Sequence, residues 1–366
     1  MAETSGSLKP PGTPARARYD GLDVFRAISI YGVVVIHFSQ VLGLPSTPGL
    51  ELVIRLRDCS FPIIVLTSFF VMTRSIMAKP DRSFGPLAAG RFMRLAVPCL
   101  IWTALYWVMW EVAGPLGRGG TPSWPPLTLW LTGFVHLWFL QFLFLGTVAA
   151  YPFIRFIVRR PRLNWVFAAG FAAATAAYGL WGREYLTEHA LSVWMNQADD
   201  SLRIAATKAV AWGKYIPVGI AMAFLADTID ALYRRPAFRA ATLAAAAAAL
   251  LLHVGSAAPE VSRSLYSLAV FVVLLRPWPP GSLDWLRPAA RYSYPIYIVH
   301  PAVAQVVVGA LALGHVPASL PLLLPGSVAV FALSGVAAAM LRRVVPADWF
   351  LPLVPVGEAR SRDRMR

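Results

Sequence analysis

Residues 19–40 read YDGLDVFRAISIYGVVVIHFSQ, a run long and apolar enough for one membrane-spanning helix, yet it carries Arg26 and His37. The two are eleven steps apart, and at about 100° per residue eleven steps return to within about 20° of the starting direction. At 1.5 Å per residue the rise between them is ~16 Å, about half the hydrocarbon thickness of a bilayer. Arg26 is therefore expected near one membrane edge and His37 deeper, past the middle, on one line of the helix. Ionisable groups at such depth are costly and face a protein interior or a watery cavity. A bland reading stands beside this one: Arg26 snorkels as a topology anchor, and a neighbouring helix satisfies His37.

The rest of the chain agrees with a membrane setting. Of 366 residues 57% are hydrophobic and only 14% charged, with mean hydropathy +0.59. This composition is too apolar for a soluble protein of this length and indicates an all-α polytopic membrane protein. The formal charge of +15 is explained by arginines in cytoplasmic loops, and no nucleic-acid partner is expected. Cys59 and Cys99 fall in different predicted helices or their ends. They form no Cys/His spacing of a metal site and imply no disulfide framework.

Residues 1–18, rich in Ser, Pro, Gly and Ala, read as a disordered cytoplasmic tail. Residues 19–345 read as one domain of about ten transmembrane helices, and 346–366 as a short basic tail suited to an anionic inner leaflet. The apolar runs predict spans at about 22–42, 59–78, 93–113, 136–158, 163–182, 209–229, 238–255, 262–276, 293–313 and 321–341. The eighth is short for a crossing. With the N-terminus inside, 25 of the 33 Lys and Arg fall in segments assigned to the cytoplasm and eight outside. A split that follows alternate loops supports ten spans with both termini cytoplasmic. The alanine run Ala244–Ala249 is expected to mark close helix packing.

Motifs of soluble enzymes are absent: there is no GxxxxGK[ST], no HExxH and no nucleophile elbow. What stands out is polar residues where apolar ones are expected. Arg91-Phe-Met-Arg94 opens the third span, with two guanidinium groups at i, i+3 on one face. With Arg26 they would form a basic mouth suited to a phosphate-bearing cytosolic ligand; positive-inside anchoring is the bland alternative. His136-Leu-Trp138 opens the fourth span, readable as an interfacial histidine and a belt tryptophan. In the ninth, Tyr297 and His300 share a face in RYSYPIYIVH, and such a pair can serve as hydrogen-bonding glue. His189, His253 and His315 read as loop or helix-end residues.

Taken in order, LDVFRAISIYGVVVIH, RFMRLAVPCLIW, HLWFLQFLFL and RYSYPIYIVHP resemble the membrane-bound acyltransferase family 3, which modifies glycans. The resemblance covers about 20–342. One departure lies in the second span, where Thr67 and Ser68 stand in place of a frequent Ser-Gly pair. The resemblance implies transfer of an acyl group, often acetyl, from cytosolic acyl-CoA to a hydroxyl of a sugar-containing acceptor, at a bacterial inner membrane. It implies His37 as general base, or as a transiently acylated group, with Arg26 orienting the donor or stabilising charge. Arg91 and Arg94 are then candidates for coenzyme A phosphates, Tyr297 and His300 for the channel lining, and His136 and Trp138 for the acceptor side. No metal is expected. A transporter or flippase of a glycan or small metabolite is the alternative, since many spans with intramembrane charges suit it equally.

Overall fold

The computed structural model describes residues 19–81, 83–117, 136–160, 166–167, 170, 200–256, 259–279 and 281–344. Among these there is no strand. A helix satisfies its own backbone within one segment, which is what hydrocarbon demands. In chain order the helices are α1 Asp20–Val41, α2 Pro48–Arg57, α3 Ser60–Met77, α4 Phe84–Arg91 and α5 Val97–Gly117. Next come α6 Trp138–Val158, α7 Asp200–Gly213, α8 Tyr215–Leu232, α9 Pro236–Gly255 and α10 Pro259–Leu274. The last two are α11 Arg287–Leu313 and α12 Leu320–Val344. A π-helical turn, Phe92–Ala96, joins α4 to α5.

Among the described residues eight helical stretches are long and apolar enough to cross a membrane, so this is a polytopic all-α membrane protein. The expected fifth span, 163–182, falls almost wholly outside the described residues. The expected eighth is α10, whose 16 residues fall short of a crossing. α2 was not anticipated as a separate helix, although its start is marked in the sequence. Thr47 accepts a hydrogen bond from Leu50 N at 3.2 Å and Pro48 occupies the first turn, a pairing that opens helices. The alanine run does not pack closely either: Ala244–Ala249 is exposed or half-buried, and His253 is the one buried residue of α9.

α1 and α11 start side by side, with Arg287 3.7 Å from Asp20, and run parallel in extensive contact. α12 returns against α1, with Phe331 on Tyr31 and Gly326 against Phe38. The first helix therefore begins, and the last one ends, at the same end of the bundle, called here the Asp20 end; the other is the Val41 end. α3 descends beside α1 and packs on α8, and a bidentate Arg74–Asp227 pair at 3.2 and 2.8 Å ties these two at the Asp20 end.

The α3–α8 crossing depends on a missing side chain. A Cβ on Gly219 would fall 2.7 Å from the Leu66 carbonyl oxygen, and small residues of this kind let membrane helices approach backbone to backbone. Gly219→Leu is expected to cost about 1–3 kcal/mol through overpacking, read as a lower melting temperature in detergent, with Gly255→Leu, at an open position, as the neutral control.

Candidate functional site

Two prolines shape α11. Pro301 has no N–H, so the helical bond that would reach back to the Tyr297 carbonyl is missing. His300 fills the gap: its Nδ1 lies 2.8 Å from Tyr297 O and 3.2 Å from Ile296 O. A carbonyl only accepts, so Nδ1 carries the hydrogen. In the neutral ring Nε2 is then an acceptor. The neighbouring tyrosines stitch α11 to other elements. Tyr297 donates its hydroxyl to His136 O, Tyr294 donates to Arg94 O at 2.8 Å, and Tyr106 of α5 donates to Ile298 O at 2.6 Å.

These contacts bring three histidines from distant parts of the sequence together. His37 lies with its ring centroid 5.2 Å from His300 and 5.8 Å from His136, and His136 and His300 are 5.1 Å apart. Tyr297 and Tyr106 close the group at 5.1 and 5.5 Å from His136. His136 and His300 are buried, while His37 stays half-exposed. Both ring nitrogens of His136 and Nε2 of His300 are buried without a hydrogen-bond partner. Buried polar atoms are nearly always paired, and exceptions call for an explanation. Here three orphan nitrogens lie beside one accessible imidazole, an arrangement fitted to receive a polar ligand. His136 is thus an interior residue rather than an interfacial one, because the Tyr297 hydroxyl holds its main chain inside the bundle.

Of the residues singled out in the sequence, the fold unites His37, His136, Tyr297 and His300, and sets Trp138 next to them. Trp138 stacks on Phe61 at 5.5 Å and 12°, and Phe61 also meets Trp212 at 5.3 Å. The three arginines are elsewhere. Arg26 is on the exposed side of α1, paired with Asp23 at 2.7 Å. Arg91 is half-buried, its Nη1 3.5 Å from Ser68 Oγ, and Arg94 is exposed. Arg91 and Arg94 were expected on one face. The π turn between them spreads a helical turn over more residues, and such turns recur at functional sites.

Depth can be compared along the parallel pair α1 and α11. Arg26 lies six residues beyond Asp20, and Tyr294, which bonds the Arg94 carbonyl, seven beyond Arg287. Both are about 10 Å in from the Asp20–Arg287 pair at 1.5 Å per residue. His300 is a further ~9 Å along α11. The arginines thus sit about midway between the Asp20 end and the histidines. A cavity of about 740 Å³ opens nearer that end beside Phe84, Tyr151, Arg155 and Arg159, and none of the three histidines lines it.

A second polar group was missed. At the corner between α2 and α3, beside Gly32 of α1, Asp58 meets Arg263 Nε at 3.2 Å, His253 Nε2 at 3.3 Å and Arg57 at 3.7 Å. Arg263 and Lys214 reach Glu260 at 3.0 and 3.3 Å. His253 is fully buried, its Nδ1 3.0 Å from Ser262 Oγ. A signal existed: Arg57-Asp58 precedes an apolar span and Glu260, Arg263 and Ser262 crowd the start of the shortest one. Charges at that density beside apolar helices mark a polar interior.

Among the described residues no group of three His, Cys, Asp or Glu is arranged to hold a metal ion. No curated protein matches the chain, and no solved structure does. A family model described as an acyltransferase domain matches residues 19–339. That match spans the arginine–histidine first helix, the arginine pair before α5, the histidine at the head of α6 and the tyrosine–histidine segment of α11, and the chain belongs to acyltransferase family 3.

Proposed function

We propose that this membrane acyltransferase moves an acyl group, acetyl in the first instance, from cytosolic acyl-CoA to a hydroxyl of a sugar-containing acceptor, with His37 as general base. The observation that carries the reading is the convergence of His37, His136 and His300 with only His37 accessible. A general base must reach its proton donor and be neutral before it acts. His37 takes the proton of the acceptor hydroxyl as that oxygen attacks the thioester carbonyl carbon. The tetrahedral adduct collapses, the C–S bond breaks, and the thiolate of coenzyme A leaves with the proton from His37. His300, with its hydrogen on Nδ1, offers Nε2 as an acceptor towards the protonated His37.

The Asp20 end is the cytosolic side in this reading. Arg26 and Arg94 at similar depth, with Arg91 beside Ser68, form the basic approach for the donor's phosphates, and guanidinium groups suit phosphate oxygens. The acceptor meets His37 from the Val41 end, over Trp138.

Purified protein in nanodiscs with acetyl-CoA tests this through free-thiol release. Release that depends on an added extract of cell-envelope glycans is the expected result. A folded protein that releases no thiol from acetyl-, butyryl- or palmitoyl-CoA would overturn the proposal. A second expectation concerns Pro301. Pro301→Ala restores an N–H to the Tyr297 carbonyl, which then competes with His300 Nδ1. Turnover is expected to fall several-fold, in keeping with the ~1 kcal/mol that one hydrogen bond contributes, with little change in melting temperature.

A further inference from the structure

Five cations, Arg55, Arg57, Lys208, Lys214 and Arg263, gather around the corner between α2 and α3 and the ring of Trp138. Arg57 packs against Gly32, nine residues before Val41 and so about 13 Å in from that end of α1, a depth at which loop-charge topology does not account for a cation. Most are used within the protein. Arg55 donates to the carbonyls of His253, Val254 and Ser256 at 2.8–3.1 Å. Lys214 and Arg263 are held by Glu260 and Asp58. Glu51, exposed on α2, bonds Ser46.

Arg57 and Lys208 differ. Arg57 is the most distant of the partners of Asp58 at 3.7 Å, donates one Nη1 hydrogen to Gly32 O at 3.2 Å, and has a buried Nε without a partner. Lys208 stands 4.8 Å above the Trp138 ring and, among the described residues, meets no carboxylate. Both are half-buried; Arg57 packs on α1 at Gly32, five residues before His37, and Lys208 stands over the ring two residues beyond His136. Between them lie the half-buried rings of Phe61, Trp138 and Trp212. The histidine site is thus flanked by a stack of aromatic rings and by two cations that the described residues leave under-neutralised.

We propose that the acceptor carries an anionic group, a carboxylate or phosphate on the sugar, which Arg57 and Lys208 hold while the hydroxyl to be acylated lies at His37. The inference rests on the acyl-transfer reading above. The unpartnered Nε–H of Arg57 offers a donor to an oxygen of such a group, and the Lys208 ammonium adds a point charge. The sugar ring packs against the edge of the Phe61, Trp138 and Trp212 cluster. A neutral acceptor would leave both cations partly desolvated beside the base and gain nothing from them.

Binding of trigalacturonate, its uncharged methyl ester and glucose 1-phosphate to the full chain in nanodiscs, by calorimetry without donor, tests this independently of turnover. The wild-type protein is expected to bind trigalacturonate or the phosphate at least tenfold more tightly than the ester. That preference should weaken with added salt and fall to about unity in Arg57→Gln/Lys208→Gln. Arg57→Lys should restore part of it, and melting curves check that each variant is folded. Whichever anion binds more tightly names the group. Equal affinity for trigalacturonate and its ester, no binding of either anion at millimolar concentration, or a preference unchanged in the double variant would overturn the inference. Acyl transfer to the same three probes separates it from the reading it rests on. Transfer to the ester as readily as to the acid overturns the anionic acceptor and keeps the enzyme. Charge-selective binding without thiol release from any donor does the reverse.

Discussion

His37→Ala is expected to lower acceptor-dependent thiol release by about 10²–10⁴-fold, the usual contribution of a positioned acid or base, while the protein keeps its melting temperature. The structural cost is small for three reasons. His37 is half-exposed, it lies in the interior of α1 where alanine suits the helix, and the main chain around it is fixed by other contacts. Val34 and Phe38 flank it, both fully buried, and Phe38 seats against Gly326 of α12. The catalytic cost is large because no other group of the cluster substitutes for it. His300 commits its Nδ1 hydrogen to main-chain carbonyls and both it and His136 are buried, so neither takes over as the base that the acceptor first reaches. His37→Gln sharpens the test: glutamine keeps polarity and approximate reach but takes up no proton at neutral pH. A glutamine variant as impaired as the alanine one supports proton transfer. One that recovers most of the rate would mean that His37 only orients the acceptor, and the general-base role would be lost.

The sequence made the frame of this molecule readable because the bilayer limits the choices. Hydrophobic runs give helices, and alternation of loop charge orders them. The polar residues of α1 stood out for a related reason: a histidine and an arginine inside an apolar run have no bland neighbours to hide among. What could not be read was which distant segments would meet them. Tyr297 and His300 were recognised as a pair on one face, but the partner of the tyrosine hydroxyl is the main chain of His136, 161 positions away. No periodicity encodes such a contact. The proline that frees the Tyr297 carbonyl was in plain view at 301; its consequence for the tautomer of His300 needed coordinates. The same holds for Arg91 and Arg94, whose spacing implies a shared face only if the intervening turn is α-helical, and here it is a π turn.

The histidine group and the Asp58 group are linked through α3, which explains how one segment serves both. Arg57 and Asp58 precede α3, and Phe61 in its first turn carries the aromatic surface beside Trp138. Tyr266 of α10 donates to Leu56 O at 3.0 Å and fixes the turn before them. A shift of this corner would move the acceptor-side rings and Arg57 together, while the α11 clamp on His136 would stay. In the proposed acyl transfer, acceptor affinity and the histidine geometry would thus be held by separate sets of bonds. Variants at the corner should act on KM for the acceptor before they act on the thioester step.

That corner also carries the largest expected effect on stability. Asp58→Ala should cost about 3 kcal/mol, measured by unfolding in detergent, towards the lower end of what breaking a buried ion pair costs by removal of one partner. The low end applies because the side chains are not fully closed off, with 13% exposure at Asp58, 14% at Arg57 and 18% at Arg263. Three groups lose their acceptor at once. Arg263 keeps Glu260 at 3.0 Å and Arg57 keeps the Gly32 carbonyl, so each guanidinium retains one bond. His253 keeps only Ser262 at its other nitrogen, in a fully buried position. Two cations are then left close together without the carboxylate between them. Asp58→Asn separates charge from hydrogen bonding: it preserves an acceptor oxygen for Arg263 Nε but removes the negative charge, and should cost less than the alanine. If the alanine variant were as stable as the wild type, the group would be solvated in the membrane and not a closed network. Arg57 would then have water as its partner. Adding His253→Phe to the Asp58→Ala protein should recover part of the loss, because it withdraws the imidazole that has no acceptor and replaces it with a ring that can still stack on Tyr266, as His253 does at 5.7 Å and 19°.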